Sequence, residues 1–258
     1  MKKLLTILAV VVAVPLVAIV VLFFSVLHAF TATTPIENEF EPAPGVHTVQ
    51  LRRFSACFVV QSRPGKVVLV DAGMDPDAKA ILRALYFLGM GSDAVEAVLL
   101  THGHAANLGG LQVFSWAPVS SLEADVPLVE GMVGTPSPFG RLMEVRPTGV
   151  KVARVLRDGE TVRFGSLAVR VFAVPGHTRG SAAYLARGVL FMGDSADSLK
   201  KGGMRGAKWW FSESLDANRR SLKALAARLN PADVKAIVFA HSGALAGLKA
   251  LEDFAAAH

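Results

Sequence analysis

The sequence predicts an α/β domain carried behind a single apolar N-terminal helix. Two observations lead there. Leu4 to Leu27 reads LLTILAVVVAVPLVAIVVLFFSVL, without a charged side chain, and beyond it short strand-like runs alternate with stretches of helical periodicity. The 258 residues are 52% hydrophobic and 19% charged, a balance that suits one sizeable packed domain plus a more apolar element.

At about 1.5 Å of rise per residue, the apolar run is long enough to cross a bilayer core of roughly 30 Å as a helix. Lys2 and Lys3 would also serve as the basic end of a cleaved secretory signal. Signal cores, however, run only about 7–15 residues, and no small-x-small cleavage site follows this one. An uncleaved, single-pass membrane anchor over residues 4–27 is expected. The two lysines precede it, so the positive-inside tendency puts the domain on the periplasmic or extracellular side. Pro15 is tolerated in a membrane helix. From His28 to Gly45, Thr, Pro and Glu replace the aliphatics and no period is visible, which predicts a tether.

The domain, residues 46–258, opens with three predicted strands, Val46 to Arg52, Phe54 to Gln61, and Lys66 to Val70 after an Arg-Pro-Gly turn. Asp75 to Met90 has a capping aspartate and helical spacing, and Glu96 to Leu100 is a short apolar strand. Ser115 to Pro147, rich in proline and glycine, reads as loops with one short helix. Hairpins are expected at Glu160 to Val174, turning at Phe164-Gly165-Ser166, and at Ala182 to Met192, turning at Ala186-Arg187-Gly188. Asp216 to Leu229 is an amphipathic helix ending before Asn230-Pro231; Lys235 to Ala240 is a buried strand, and Ala244 to Ala257 a closing helix.

Net charge and cysteine content exclude some classes. The formal charge of +6 falls to +4 without Lys2 and Lys3, too little and too scattered for a nucleic-acid partner. The single cysteine, Cys57, cannot form an internal disulfide, so the core, or a metal, must hold the domain.

The placement of the histidines says more. His102 and His104 follow the apolar strand AVLL-Thr101, His177 follows VFAV-Pro175-Gly176, and His241 follows AIVFA; Asp71 and Asp194 likewise follow KVVLV and VLFM-Gly193. Imidazoles and carboxylates at strand ends, where loops gather on one rim of a sheet, are what a metal site requires. His102, His104 and His177 could form the three-ligand set of a catalytic zinc, which keeps a fourth position for water. Any one of them alone could equally be an ordinary hydrogen-bonded histidine, which is the expectation for His28, His47 and His258.

LVDAG (69–73), THGHAANLGG (101–110), VPGHTRGS (174–181), LFMGDS (190–195) and FAHSG (239–243) together resemble, in order and rough spacing, the metallo-β-lactamase superfamily. The resemblance implies an αβ/βα four-layer sandwich with metals at one edge. It also implies a first metal held by His102, His104 and His177, Asp194 bridging towards a second metal beside His241, and Asp71 as a supporting residue. Where that family has His-x-His-x-Asp-His, this chain has His102-Gly103-His104-Ala105-Ala106-Asn107. Ala106 has no donor atom and Asn107 only a neutral amide, so one zinc is expected and the second site is damaged.

The expected function is a membrane-anchored, zinc-dependent hydrolase of a small ester, thioester, lactone or phosphodiester. Asp194 would act as base, with Asn107 or His241 donating to a developing oxyanion. The alternative is a catalytically inactive module that keeps the fold to bind a ligand or partner. A β-lactamase proper is the weaker expectation, because Gly193-Asp194-Ser195 resembles the general hydrolase branches more than the antibiotic-degrading ones. Gly109-Gly110 could cradle a phosphate but more simply allows close packing. Lys208-Trp209-Trp210-Phe211 fits a substrate-pocket wall, an interfacial membrane contact or ordinary packing.

Overall fold

In the strands of this chain, successive side chains fall alternately into two different cores. Ala56, Phe58 and Val60 join one cluster while Cys57 and Val59 join another; Val68 and Val70 separate in the same way from Val67 and Leu69. Both faces of each sheet are therefore covered, which is why the strands read as continuous apolar runs and not as alternating ones.

The computed structural model describes residues 2–52 and 55–258, so Phe54, the expected start of the second strand, lies outside the described residues. The chain divides into two compact units, Met1–Thr33 and Thr34–His258. The first holds α1 (Lys2–Thr31), which contains Pro15; its Val11–Ala29 stretch is long and apolar enough to cross a membrane.

The second unit begins ahead of its first strand. Ile36 and Ala43 are buried, and the Thr48 amide donates to the carbonyl of Phe40, so part of the segment expected as a tether packs on the domain. The strands β1 (Val46–Arg52), β2 (Ser55–Arg63) and β3 (Lys66–Val70) lead to α2 (Lys79–Phe87), β4 (Val95–Leu99), β5 (Val119–Leu122), α3 (Val126–Val129) and β6 (Val152–Leu156). The sheet order is β1-β2-β3-β4-β5-β6, with β3 to β6 parallel. There follow β7 (Thr161–Phe164), β8 (Leu167–Ala173), β9 (Ala182–Ala186), β10 (Val189–Phe191), β11 (Ala196–Ser198), β12 (Met204–Gly206), α4 (Leu215–Arg228), β13 (Ala236–Val238), β14 (Leu245–Ala246) and α5 (Lys249–Ala257). The second sheet has the order β14-β13-β10-β9-β8-β7, and β11 and β12 form a separate hairpin.

The fold is the αβ/βα four-layer sandwich. Val60, Val70 and Leu99 of the first sheet meet Val171, Tyr184 and Phe191 of the second in the central core. Ile81 and Leu85 of α2 cover the outer face of the first sheet, and Leu222, Leu225, Leu251 and Phe254 of α4 and α5 that of the second. At one rim the sheets are stitched by main-chain bonds: the Ala182 amide donates to the Thr101 carbonyl and the Ala56 amide to that of Ala240, both at 2.8 Å. The Tyr184 hydroxyl, fully buried, donates to the Leu100 carbonyl at 2.6 Å.

Several elements differ from the sequence expectation, among them β6, for which no strand was expected. The helix expected from Asp75 starts at Lys79, because the Asp75 carboxylate accepts from the amides of Asp77 and Lys79 and folds the segment into a turn. The closing helix starts at Lys249, because Leu245 pairs with Ile237 as an edge strand and Gly247 turns the chain at positive φ. The stretch 115–147 contains β5, whose four residues are all buried. The β11–β12 hairpin, which was not expected, falls on glycine-rich sequence with little apolar pattern.

Tyr184→Phe should cost about 1–3 kcal/mol, since it leaves the buried Leu100 carbonyl without its donor while keeping the ring. A urea midpoint unchanged from the parent would show that this inter-sheet bond contributes nothing.

Candidate metal centre

Parallel strands bring their C-terminal ends to one edge, and the candidate residues lie on that edge. Asp71 follows β3, Thr101, His102 and His104 follow β4, Asp125 follows β5, His177 follows β8, Asp194 follows β10, and His241 follows β13. The turns are tight. Gly193 has φ of +52°, and a Cβ there would meet the side chain of Thr101 at 2.5 Å; Gly176 has φ of +141°, and a Cβ there would meet the Asn218 backbone at 2.2 Å. Only glycine lets Asp194 and His177 approach as they do.

His102, His104 and His177 form one cluster. Their rings are mutually perpendicular, with interplanar angles of 86–89° and centroids 4.6–4.7 Å apart. His177 Nε2 lies 3.0 Å from His104 Nδ1 and 3.3 Å from His102 Nε2. A tetrahedral cation held at about 2.0–2.1 Å from each nitrogen separates its ligands by roughly 3.3 Å, so this donor set fits a zinc-sized ion.

A hydroxyl stands behind each ring. Thr101 Oγ1 is 3.1 Å from His102 Nδ1, Thr135 Oγ1 is 2.9 Å from His104 Nε2, and Ser212 Oγ is 3.1 Å from His177 Nδ1. Thr101 in turn donates to Asp71 Oδ2 at 2.7 Å and Ser212 to the Lys208 carbonyl. With those hydroxyl protons committed elsewhere, Thr101 and Ser212 can only accept from the rings, which fixes the tautomers and leaves His102 Nε2 and His177 Nε2 unprotonated. Asp71 thus supports the His102 ring through Thr101, and holds φ of +62°.

Asp125, fully buried, ties the two ligand loops together. Its Oδ2 accepts from the Gly103 amide at 2.8 Å and the Thr178 hydroxyl at 2.8 Å, and its Oδ1 from the Gly180 amide at 2.9 Å. Asp125, Thr135 and Ser212 were not among the residues picked out from the sequence. Each lies in a stretch without a donor-rich motif, and their only signal is the fold that returns them to the histidines.

The remaining candidates sit beside the trio. Asp194 Oδ2 is 3.1 Å from His241 Nε2 and 3.6 Å from His177 Nε2, and its buried Oδ1 has no hydrogen-bond partner. An orphaned carboxylate oxygen next to three imidazoles is a further mark of a cation site. Asn107 Nδ2 lies 3.0 Å and 3.1 Å from the two ring nitrogens of His102, so its amide covers that ring. Ala106, Asn107 and His241 line a cavity of about 110 Å³ together with Arg52 and Ser55.

Burial sets the protonation states. It lowers His102 to about 4 and His104 to about 3, and holds His177 well below the usual imidazole range. It lifts Asp71 to about 7 and raises Asp125. Burial also opposes ionisation of Asp194, but His241, His102 and His177 outweigh it and keep that carboxyl well below the usual range.

A family model described as the metallo-beta-lactamase superfamily matches residues 51–241. A hydroxyacylglutathione hydrolase from Xanthomonas axonopodis pv. citri is 34% identical over 140 residues, 54% of this chain and 46% of that protein. An acyl-coenzyme A thioesterase from Homo sapiens is 30% identical over 151 residues, 49% of this chain and 53% of its own. The chain thus spans about half the length of these curated relatives. Among solved structures, a beta-lactamase from Chitinophaga pinensis superposes with a TM-score of 0.62, covering 80% of this chain and 79% of that one at 20% identity, a likeness that carries the fold alone.

Two outcomes follow from this geometry. Asp125→Ala strands three buried donors and should cost roughly 3 kcal/mol or more, with a matching loss of metal affinity; full metal content at parental stability would refute the bridging role. Without metal, stability should fall between about pH 6.5 and 4. There the unfolded histidines take up protons that the three folded ones refuse, and the two opposing carboxyls, Asp71 and Asp125, offset only part of this. Urea midpoints of the chelated protein at pH 7.5 and 4.5 test it; a higher midpoint at 4.5 would contradict it.

Proposed function

The chain belongs to the metallo-beta-lactamase superfamily, and on that premise we propose that it is a metal-dependent hydrolase working with one zinc ion. His102, His104 and His177 would hold that ion, with Asp194 beside it. The observation that carries the proposal is the convergence of three neutral imidazole nitrogens next to an unpartnered Asp194 oxygen. Of the residues the family uses for a second metal, Asp194 and His241 are present and Ala106 and Asn107 offer no charged or imidazole donor.

When bound, zinc supplies Lewis acidity that lowers the pKa of water from about 15.7 towards 7. The chain's own residues supply the rest. Asp194 accepts a proton from the attacking water, and His241, 3.1 Å away and open to solvent on one side, passes a proton on to the leaving group. The water oxygen bonds to the acyl carbon as the carbon–sulfur or carbon–oxygen bond breaks, and the departing atom takes the proton. Asn107 acts in this scheme by holding the His102 ring.

The substrate class is a small ester, thioester, lactone or phosphodiester. The names of the two curated relatives, both acyl-conjugate hydrolases, favour the acyl thioester. The N-terminal helix would anchor the enzyme by a single pass, with the domain on the periplasmic or extracellular side, as Lys2 and Lys3 ahead of the apolar stretch indicate.

Metal analysis of the purified chain should give one equivalent, lost in His104→Ala together with thioesterase turnover. A metal-free parent, or a His104→Ala variant that keeps both, would refute the proposal. The double change Ala106→Asp and Asn107→His should raise metal content above one equivalent and increase turnover by about 10-fold or more. No gain in metal would show that more than these two positions separates the chain from a two-metal site.

A further inference from the structure

Beside His104 the site is bordered by an aromatic and aliphatic surface that the chemistry above does not use. The Phe211 ring lies 6.3 Å from that of His104, Phe139 lies 5.7 Å from Phe211, and Trp209 lies 6.2 Å from Phe139. Trp209 and Phe211 are 42% and 38% exposed, although rings of this size are ordinarily buried in a domain core.

The surface continues along the loop that carries Thr135, the hydroxyl behind His104. Met132, Val133, Leu142, Met143 and Val145 are all exposed there, Leu142 to 82%. The loop is fixed to the aromatic turn, since the Phe139 amide donates to the Trp210 carbonyl at 2.9 Å. Between Gly131 and Val145 its charged residues are Arg141 and Glu144. Glu144 pairs with Arg146, and Arg141 Nε donates to the Pro136 carbonyl. A clustered apolar surface of this kind, beginning at a metal ligand, marks a binding site more than chance exposure.

We propose that this surface is the acyl-chain subsite of the hydrolase. The scissile carbonyl would lie at the three histidines, with a linear apolar chain of at least six carbons running over Phe211 and Phe139 to Trp209 and the 131–145 loop. The inference rests on the hydrolase reading for its substrate class, but the surface itself can be tested without turnover. Continuity with His104 and the near absence of free charge select an alkyl chain over a polar or anionic group.

The test uses the full chain in mild detergent with acyl thioesters of two to eight carbons, together with a non-hydrolysable octyl thioether of the same thiol. The specificity constant kcat/KM should rise about twofold per added CH2, less than full burial would give because the wall is half open, or roughly 60-fold across the series. Phe139→Ala and Trp209→Ala should flatten that slope to less than tenfold overall, and Trp209→Phe should restore most of it. The octyl thioether should bind saturably and shift Trp209 emission to the blue, a change absent in Trp209→Phe.

A flat length dependence with measurable cleavage of the acetyl thioester would overturn the subsite and leave the hydrolase reading standing. No cleavage at any length would overturn the hydrolase reading, and the thioether would then decide the subsite alone, saturable binding supporting it and none overturning it. Binding to phospholipid vesicles that is lost in Phe139→Ala, with no response to the thioether, would assign the surface to a membrane and overturn the proposal.

Discussion

Three uncharged imidazoles, two buried and one half-buried, whose ring nitrogens converge on one point form the constraint on which the rest of the site depends. Nitrogen lone pairs 3.0 and 3.3 Å apart repel unless a proton or a cation lies between them, and burial disfavours the proton. The protein has spent hydrogen bonds to hold this arrangement. Thr101, Thr135 and Ser212 stand behind the rings, and Asp125 binds the His102–His104 loop to the His177 loop by three bonds. The same residues tie the site to the fold, because Thr101 also gives its carbonyl to the inter-sheet bond with Ala182.

That economy explains what the sequence could and could not convey. Residues that follow a strand directly, such as Asp71, His102, His177, Asp194 and His241, were legible because an apolar run ending in a donor is a local pattern. The four layers were legible only through the resemblance of ordered motifs, since periodicity in doubly covered strands is continuous and does not say which face meets which layer. Asp125, Thr135 and Ser212 were silent because their role comes from contacts 22 to 55 residues away in sequence. The turn at Asp75 shows a local signal outcompeted by another, as a carboxylate that could cap a helix instead closes the loop before it.

The altered motif at Ala106 and Asn107 has a structural consequence beyond lost donors. Asn107 places its amide against the His102 ring, and the small Ala106 contributes to a cavity of about 110 Å³ next to His241. The supports of the first site are therefore in place, while the other side holds a small space lined mostly by alanine and other apolar side chains, with Asn107 and His241 among its polar residues. On the one-zinc hydrolase proposal, Asp194 and His241 would move the protons and a single cation would supply the charge.

Zinc K-edge absorption on the full chain loaded with metal addresses the one-metal centre most directly. The account predicts about three imidazole nitrogens and one lighter oxygen near 2.0–2.1 Å, with no metal–metal vector. A metal–metal distance of about 3.5–4 Å, or a shell without histidine scattering, would contradict it.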